Sequence, residues 1–266
     1  MPRTVPAPQR NKRGTNHTRP PHERERLRIC GLAAVRALFE CDPERVERLF
    51  FVPKLAREAG PLCRTLAVAH KPYREVEEME LARIAGTVLH GGIVAIARPR
   101  PVSELDPKEA REWSRDGKPL LILDGVGNPH NLGAIARTAA FFGIARMVLA
   151  DRPDQAFPSD AAYRVAEGGL EHLALYRARL PTALSRLRQA YRILGTSPAG
   201  GSIPVVHATT GPAALILGNE ETGLDPATLA ACDAMVRIPG SGRVQSLNVA
   251  SAAAILIYLL TRSSSG

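Results

Sequence analysis

Three short polar segments in the second half of the chain carry the residue types from which a binding or catalytic site can be built. They are residues 128–137 (NPHNLGAIAR), 217–224 (LGNEETGL) and 238–248 (IPGSGRVQSLN). Each contains glycine and follows an apolar run that is typical of a β-strand. Loops at the carboxyl ends of parallel strands are where open α/β sheets bind ligands, so these segments predict one composite site.

In the first segment, the side chain best suited to binding or catalysis is that of Arg137. It is the single charge in a predicted helix that is apolar nearly all round, so we expect this helix to be buried. Asn131 is expected to cap that helix, which then begins at Leu132, and Gly133 is expected to leave open space beside Arg137. A buried guanidinium needs an anionic or ligand partner. A structural salt bridge and a ligand contact both satisfy that need.

The second segment combines two glycines with two carboxylates. Gly218 permits close approach of the backbone to a ligand, and Gly223 permits a positive φ before a helix that starts near Pro226. Glu220 or Glu221 is the expected partner of Arg137. The alternative is a tight strand–helix turn with no ligand, and a phosphate-binding P-loop is excluded because no lysine follows the glycine.

The third segment crosses a glycine-rich basic loop and enters the last predicted helix. Ser246 is the expected N-cap of that helix, whose exposed amides favour an anionic or electron-rich group. Asn248 lies in the first turn, near enough to reach the same pocket. A dinucleotide-binding fingerprint is a poor alternative for the neighbouring Gly125-Val126-Gly127, because position 130 is His and no acidic residue follows at the expected place.

The elements that must position these segments alternate from residue 119 onward. Strands are predicted at 120–123, 147–150, 173–176, 192–195, 214–217 and 235–238, and helices at 131–142, 160–168, 181–191, 226–231 and 246–261. This alternation predicts an α/β fold with a mostly parallel sheet and helices on both of its faces.

A smaller α/β domain is predicted over residues 23–99. Apolar residues recur at three-residue spacing from Ile29 through Leu32 and Val35 to Leu38, which is typical of an amphipathic helix. Further strands are predicted at 46–52, within 68–76 and at 92–97, and helices at 54–69, interrupted at Gly60-Pro61, and at 77–85. Residues 100–118 are rich in proline and charge, which predicts a linker with a short helix at 108–114 anchored by Trp113.

Composition places limits on the class of protein. The 266 residues are 45% hydrophobic and 23% charged, as in ordinary soluble globular proteins. The longest apolar stretch, 249–260, is shorter than the ~20 residues of a membrane span. No secretory apolar region follows the basic start of the chain, so we expect a cytoplasmic protein with reduced thiols and no membrane partner. The four cysteines form no zinc-ligand spacing, so we expect no metal.

Charge points to a polyanionic partner. The formal net charge is +9, and residues 1–22 contribute five basic residues and no acid, together with five prolines. This segment is predicted to be a disordered basic tail. It is either an arm that binds RNA or a solubilising tail, and the sequence leaves both open.

Taken together, the three segments resemble the motifs of the SpoU–TrmH family of RNA ribose 2′-O-methyltransferases, over residues 119–262. The matching patterns are Asn131-x-Gly133-x-x-x-Arg137, Gly218-Asn219-Glu220-x-x-Gly223-Leu224 and Ser246-Leu247-Asn248-Val249. Residues 28–98 are similar to the N-terminal substrate-binding domain of several members. Between the first two motifs, members commonly carry a Ser-x-Gly-Ala-like stretch, where this chain has Ala166-Glu167-Gly168-Gly169.

The resemblance implies a C-terminal trefoil knot, a homodimer and an enzyme that methylates rRNA or tRNA with S-adenosylmethionine, without a metal or a DNA partner. It implies that the residues binding the cofactor are Thr196, Gly218, Asn219, Ile238, Ser246 and Leu247. Arg137 would serve the ribose 2′-hydroxyl, Asn131 would position Arg137 and substrate, Glu220 would hold Arg137, and Asn248 would order the third loop. The alternatives are a non-catalytic RNA-binding or ribosome-assembly factor with the same fold and, less favoured by the basic tail, a small-molecule methyltransferase.

Overall fold

A computed structural model of the chain describes residues 26–197 and 212–262 and contains two β-sheets, one of four strands and one of seven. The predicted basic tail at 1–22 lies outside the described residues. Within the described part of the chain, no helix is long and apolar enough to cross a membrane.

The smaller sheet is mixed and has the strand order β1-β4-β2-β3. Its strands are β1 (Leu27–Cys30), β2 (Val46–Phe51), β3 (Tyr73–Glu75) and β4 (Ile93–Ala97), and its helices are α1 (Leu32–Cys41), α2 (Ala56–Val68) and α3 (Glu78–Ala85). Strand β4 pairs antiparallel with β1 and β2, and β3 joins β2 in parallel. This arrangement matches the predicted small α/β unit.

Two local predictions for this region are wrong. The apolar spacing that begins at Ile29 spans two elements, because Ile29 is buried in β1 and the chain turns at Gly31, with a φ of 91°, before α1 begins. Helix α2 also continues through Pro61 instead of being interrupted there. A proline removes one backbone donor from a helix, and here that loss does not end it.

The larger sheet is parallel at every strand pairing of the described residues and has the order β11-β9-β10-β6-β7-β8-β5. Its strands are β5 (Ser103–Glu104), β6 (Leu120–Asp124), β7 (Arg146–Ala150), β8 (Ala174–Ala178), β9 (Arg192–Thr196), β10 (Ala213–Gly218) and β11 (Ala234–Val236). Its helices are α4 (Pro107–Trp113), α5 (Pro129–Phe141), α6 (Asp160–Ala166), α7 (Leu180–Leu187), α8 (Pro226–Ala230) and α9 (Val249–Thr261). The predicted parallel α/β architecture is confirmed.

Helices cover both faces of this sheet, as strand β6 demonstrates. Leu121 and Leu123 belong to one buried cluster with residues of α5, α6 and α9, while Leu120 and Ile122 belong to a second cluster with residues of α4 and α7. Successive side chains of a strand point to opposite faces, so an uninterrupted apolar strand requires a cover on each side.

The range predicted as a linker is partly built into the larger sheet. Strand β5 pairs in parallel with β8, and α4 follows it, so the chain between the two sheets is ordered by edge pairing. The Trp113 ring lies 4.7 Å from the ring of Tyr176, and the Arg146 guanidinium lies 5.0 Å from the Trp113 ring centre. Trp113 therefore does anchor the predicted short helix, and the larger sheet is what holds it.

A buried ion pair joins the two sheets. Arg45, directly before β2, lies 2.6 Å from Glu171, in the 3-10 turn after α6, and the two side chains are 5% and 1% exposed. Arg45 also donates to the hydroxyl of Tyr163, and burial raises the pKa of that tyrosine to about 12. Arg100 donates to the carbonyls of Leu170 and Glu171. The segment after α6 is thereby fixed between the sheets.

Candidate functional site

A cavity of about 760 Å³ lies at the carboxyl ends of β9, β10 and β11, where the predicted second and third segments meet. All six predicted cofactor-binding residues line it, and so does Glu220; the six are Thr196, Gly218, Asn219, Ile238, Ser246 and Leu247. Its volume is within the range of small-molecule sites. Apolar side chains such as Leu217, Val236 and Leu256 share its walls with loop backbone, a mixture that suits a ligand with polar and apolar parts.

The second segment forms a closed turn organised by Asn219. The backbone of Asn219 exchanges two hydrogen bonds with Gly223, of 2.9 and 3.0 Å, and its side-chain amide donates to the carbonyl of Gly125 at 2.7 Å. Gly223 has the predicted positive φ, at 75°. A Cβ on Gly218 would lie 2.5 Å from the carbonyl carbon of Gly223, so the turn folds directly onto that glycine.

One chain of hydrogen bonds connects all three segments. The Asn131 amide donates to Glu220 Oε1 at 2.6 Å, and the Asn248 amide donates to Asn131 Oδ1 at 3.1 Å. Asn131 is buried in the first turn of α5, and its oxygen and nitrogen are both used. The structure therefore brings together three of the four predicted catalytic residues.

The two predicted helix caps are displaced from their expected positions. Asn128 caps α5 by accepting from the backbone N–H of His130, which leaves the Asn131 side chain free to bond across the site. Asn248 caps α9 by accepting from the N–H of Ala250, whereas Ser246 lies before the helix. In both places an asparagine at the true helix start occupies the cap.

Arg137, the fourth predicted catalytic residue, does not have the expected surroundings. Its side chain is 56% exposed, and its guanidinium forms an ion pair with Glu167 Oε2 at 2.9 Å rather than with Glu220 or Glu221. With ~3.6 residues in each helical turn, positions 131 and 137 lie on different sides of α5. Arg137 is thus separated from the hydrogen-bonded chain around Asn131.

Gly133 also has a different role from the predicted one. A Cβ at this position would lie 2.4 Å from the carbonyl oxygen of Ala162, so the glycine lets α6 pack closely against α5. It supplies no open space beside Arg137. The spacing of glycine and arginine in the first segment therefore serves helix packing as well as any chemistry.

Two polar residues that support the site were not predicted. Asp124 ends β6, is 2% exposed, and accepts from the N–H of Asp225 and from Arg152. Gln155 accepts from the N–H groups of Gly125 and Val126 and so holds the loop that receives Asn219. The signal for Asp124 was a carboxylate directly after an apolar strand; the sequence around Gln155 carries no comparable signal.

We expect replacement of Asn248 with Ala to lower the free energy of unfolding by about 1–2 kcal/mol, because α9 loses its N-cap. The change also removes the donor to Asn131. Asn248→Ser keeps a cap and is expected to recover most of the stability. Urea unfolding of the three proteins tests this, and equal stability of Asn248→Ala and the parent chain would contradict the assigned cap.

Comparison with known proteins identifies the family. The SpoU rRNA Methylase family model matches residues 118–258, and a model described as RNA 2′-O ribose methyltransferase substrate binding matches residues 28–103. The 23S rRNA (guanosine-2′-O-)-methyltransferase RlmB of Acinetobacter baylyi is 35% identical over 236 residues, which cover 86% of this chain and 94% of that protein. The uncharacterized tRNA/rRNA methyltransferase YfiF of Escherichia coli O157:H7 is 32% identical over 235 residues, which cover 88% of this chain and 67% of that protein.

A solved structure shares the fold across both sheets. The AdoMet-bound rRNA methyltransferase from Sinorhizobium meliloti superimposes with a TM-score of 0.73 at 24% identity, covering 89% of this chain and 87% of that chain. Family models thus match most of the described chain, and they match the same two regions that the two sheets define. The chain belongs to the SpoU family of RNA 2′-O-ribose methyltransferases.

Proposed function

We propose that this protein methylates the ribose 2′-hydroxyl of a guanosine in 23S rRNA. The observation that carries the proposal is the 35% identity to the Acinetobacter baylyi enzyme named for that reaction, because the match spans 86% of this chain. It therefore extends over the substrate-binding region as well as the methylase region. The net charge of +9 supports a polyanionic substrate.

The cavity at the ends of β9, β10 and β11 is the proposed site of S-adenosylmethionine. Its walls offer loop backbone beside Gly218 and Ile238 and apolar surface at Leu247, which fit the polar and apolar parts of that molecule. The cofactor supplies a methyl group that its positively charged sulfur has already activated. Thr196 lines the floor and donates its own hydroxyl to the carbonyl of Ile216, so it would contribute shape and backbone there.

The proposed catalytic roles combine the family resemblance with the contacts of each side chain. Arg137 would stabilise the negative charge that develops on the ribose oxygen as its proton leaves. Asn131 would orient the substrate. The sequence predicts that Glu220 holds Arg137, but Glu220 contacts Asn131, so we propose that it holds Asn131 instead. Asn248 would fix the start of α9 and the loop before it.

We propose a homodimer formed through an exposed apolar patch on α5 and α9. Phe141, Ile255 and Tyr258 form this patch, with exposed fractions of 82%, 39% and 48%. The family resemblance implies a homodimer, so a second copy is the proposed occupant, and a two-fold axis would place the same apolar patch against itself. Arg137 lies one helical turn before Phe141, so this dimer would bring Arg137 next to the partner chain. Sedimentation equilibrium tests the proposal, and a monomer at micromolar concentration would contradict it.

The remaining parts of the proposal come from family membership. On that ground we propose a trefoil knot in the C-terminal part of the chain. We also propose a cytoplasmic location, which fits an enzyme acting on ribosomal RNA. A non-catalytic RNA-binding factor is the competing function, and it predicts RNA binding without methyl transfer.

Methyl transfer from radiolabelled S-adenosylmethionine tests the function directly. We expect label in 23S rRNA, at the 2′-oxygen of a guanosine, and one missing 2′-O-methyl site in 23S rRNA from cells that lack the gene. Purified 16S rRNA and tRNA serve as controls in the same assay. Label only in tRNA would overturn the substrate, and RNA binding without any label would favour the non-catalytic alternative.

A further inference from the structure

Glu167 lies beside Arg137 and has no role in the site described above. Its Oε2 is 2.9 Å from the Arg137 guanidinium, and both side chains are about half exposed. We infer that Glu167 is a positioning residue that holds Arg137 in its working orientation. This inference rests on the role proposed for Arg137 and adds a second residue to it.

The backbone around Glu167 is fixed against α5. Glu167 ends α6 with a φ of 46°, and Gly168 follows with a φ of 95°. A Cβ on Gly169 would lie 2.7 Å from the Cα of Arg137, and a Cβ on Gly168 would lie 2.7 Å from the Cβ of Ala37. The chain therefore passes directly between α5 and α1, and the distance between the backbones of Glu167 and Arg137 is set by packing.

The local structure does not favour glutamate at this position. A positive φ is costly for any residue with a side chain, and asparagine or glycine is the usual choice there. A negative charge at the C-terminal end of a helix also opposes the helix dipole. Neither the conformation nor the helix position explains Glu167, so the ion pair with Arg137 is what this side chain adds. Residues held in strained conformations often serve functional sites.

The ion pair has a consequence for substrate binding. An unpaired arginine side chain samples many rotamers, and a carboxylate at fixed distance restricts them. The same carboxylate repels RNA phosphates close to Arg137. Glu167 is therefore expected to raise the rate of methyl transfer while weakening RNA binding, a combination that a purely structural residue does not produce.

Single-turnover kinetics with the full chain, S-adenosylmethionine and 23S rRNA test the inference. Glu167→Gln keeps the size of the side chain and removes its charge. We expect the rate of methyl transfer to fall about tenfold, RNA binding to tighten, and cofactor binding to stay unchanged. Glu104→Gln is the matched control, because Glu104 forms a similar exposed pair with Arg177 on strand β8. The control is expected to match the parent chain.

A double-mutant cycle separates positioning from an independent effect. In the Arg137→Ala background, Glu167→Gln is expected to change the rate no further. The guanidinium ¹⁵N signal of Arg137, assigned by its loss in Arg137→Ala, is expected to broaden or shift in Glu167→Gln. This signal provides a second measurement if the double variant is too slow to assay.

Each contrary outcome has a distinct meaning. An unchanged rate in Glu167→Gln, with Arg137→Ala inactive, overturns the inference and leaves the proposed function intact. Equal losses in both backgrounds would also overturn it, because Glu167 would then act without Arg137. Full activity of Arg137→Ala would instead refute the role proposed for the arginine itself.

Discussion

Replacement of Arg137 with Ala is expected to slow methyl transfer by about 10²–10³-fold, the usual cost of removing one fixed donor to a developing oxyanion. Stability is expected to change little, because Arg137 is 56% exposed and exposed ion pairs contribute little to folding. Cofactor binding is expected to stay unchanged, since Arg137 does not line the cavity among the described residues.

Three measurements on Arg137→Ala check these expectations: single-turnover transfer to 23S rRNA, calorimetric titration with S-adenosylmethionine, and thermal unfolding. Arg177→Ala is the matched control, because Arg177 is also partly exposed and paired with a carboxylate but lies on β8. A loss of cofactor binding in Arg137→Ala would place the arginine at the cavity instead. A parent-like rate would remove it from the reaction.

The parallel sheet was predictable because its strands are short, apolar and separated by helical segments. Strands β6 and β10 are buried at every position, and up to Asp124 and Gly218 at their ends each is an apolar run that hydropathy alone detects. Strand β5 was missed because Ser103–Glu104 is an exposed two-residue edge strand with no apolar signal. Its pairing with β8 depends on where the rest of the sheet lies.

The surroundings of Arg137 were not predictable from its own helix. An apolar helix predicts burial, but the actual exposure depends on which neighbouring elements cover each side. Glu167 ends a different helix, and the packing of α6 at Gly133 and of Gly169 against Arg137 brings it near. The motif residues predict an ion pair between Arg137 and Glu220 or Glu221, but in the tertiary structure Glu220 accepts a hydrogen bond from Asn131 instead.

The helix caps illustrate a related limit. Near the start of each helix the chain offers two residues able to cap it: Asn128 and Asn131 at α5, and Ser246 and Asn248 at α9. The preference of Asn128 over Asn131 follows from Pro129, which favours the first position of a helix. That rule was available from the sequence. For α9 no such rule is available, because asparagine and serine are about equally favoured as caps.

Replacement of Gly218 with Ala is expected to weaken S-adenosylmethionine binding by at least about 100-fold. The new Cβ would lie 2.5 to 2.7 Å from backbone atoms of Gly223 and Leu224, and backbone cannot move aside as a flexible side chain can. The turn around Asn219 must therefore open, and that turn forms one wall of the cavity. Overpacking of this kind typically also costs about 1–3 kcal/mol of stability.

Gly60→Ala is the control for the Gly218→Ala variant. Gly60 lies in α2, and its added Cβ would meet only the end of the Arg64 side chain, at 3.9 Å. Alanine is a better helix former than glycine, so this variant is expected to be as stable as the parent or slightly more so.

Calorimetric titration with S-adenosylmethionine measures both variants. Parent-like binding by Gly218→Ala would mean that the turn is not a wall of the cofactor site, and the cofactor would have to be placed elsewhere. If the Gly218→Ala protein is folded and binds weakly while Gly60→Ala binds like the parent, then cofactor binding needs the closed turn between Gly218 and Gly223.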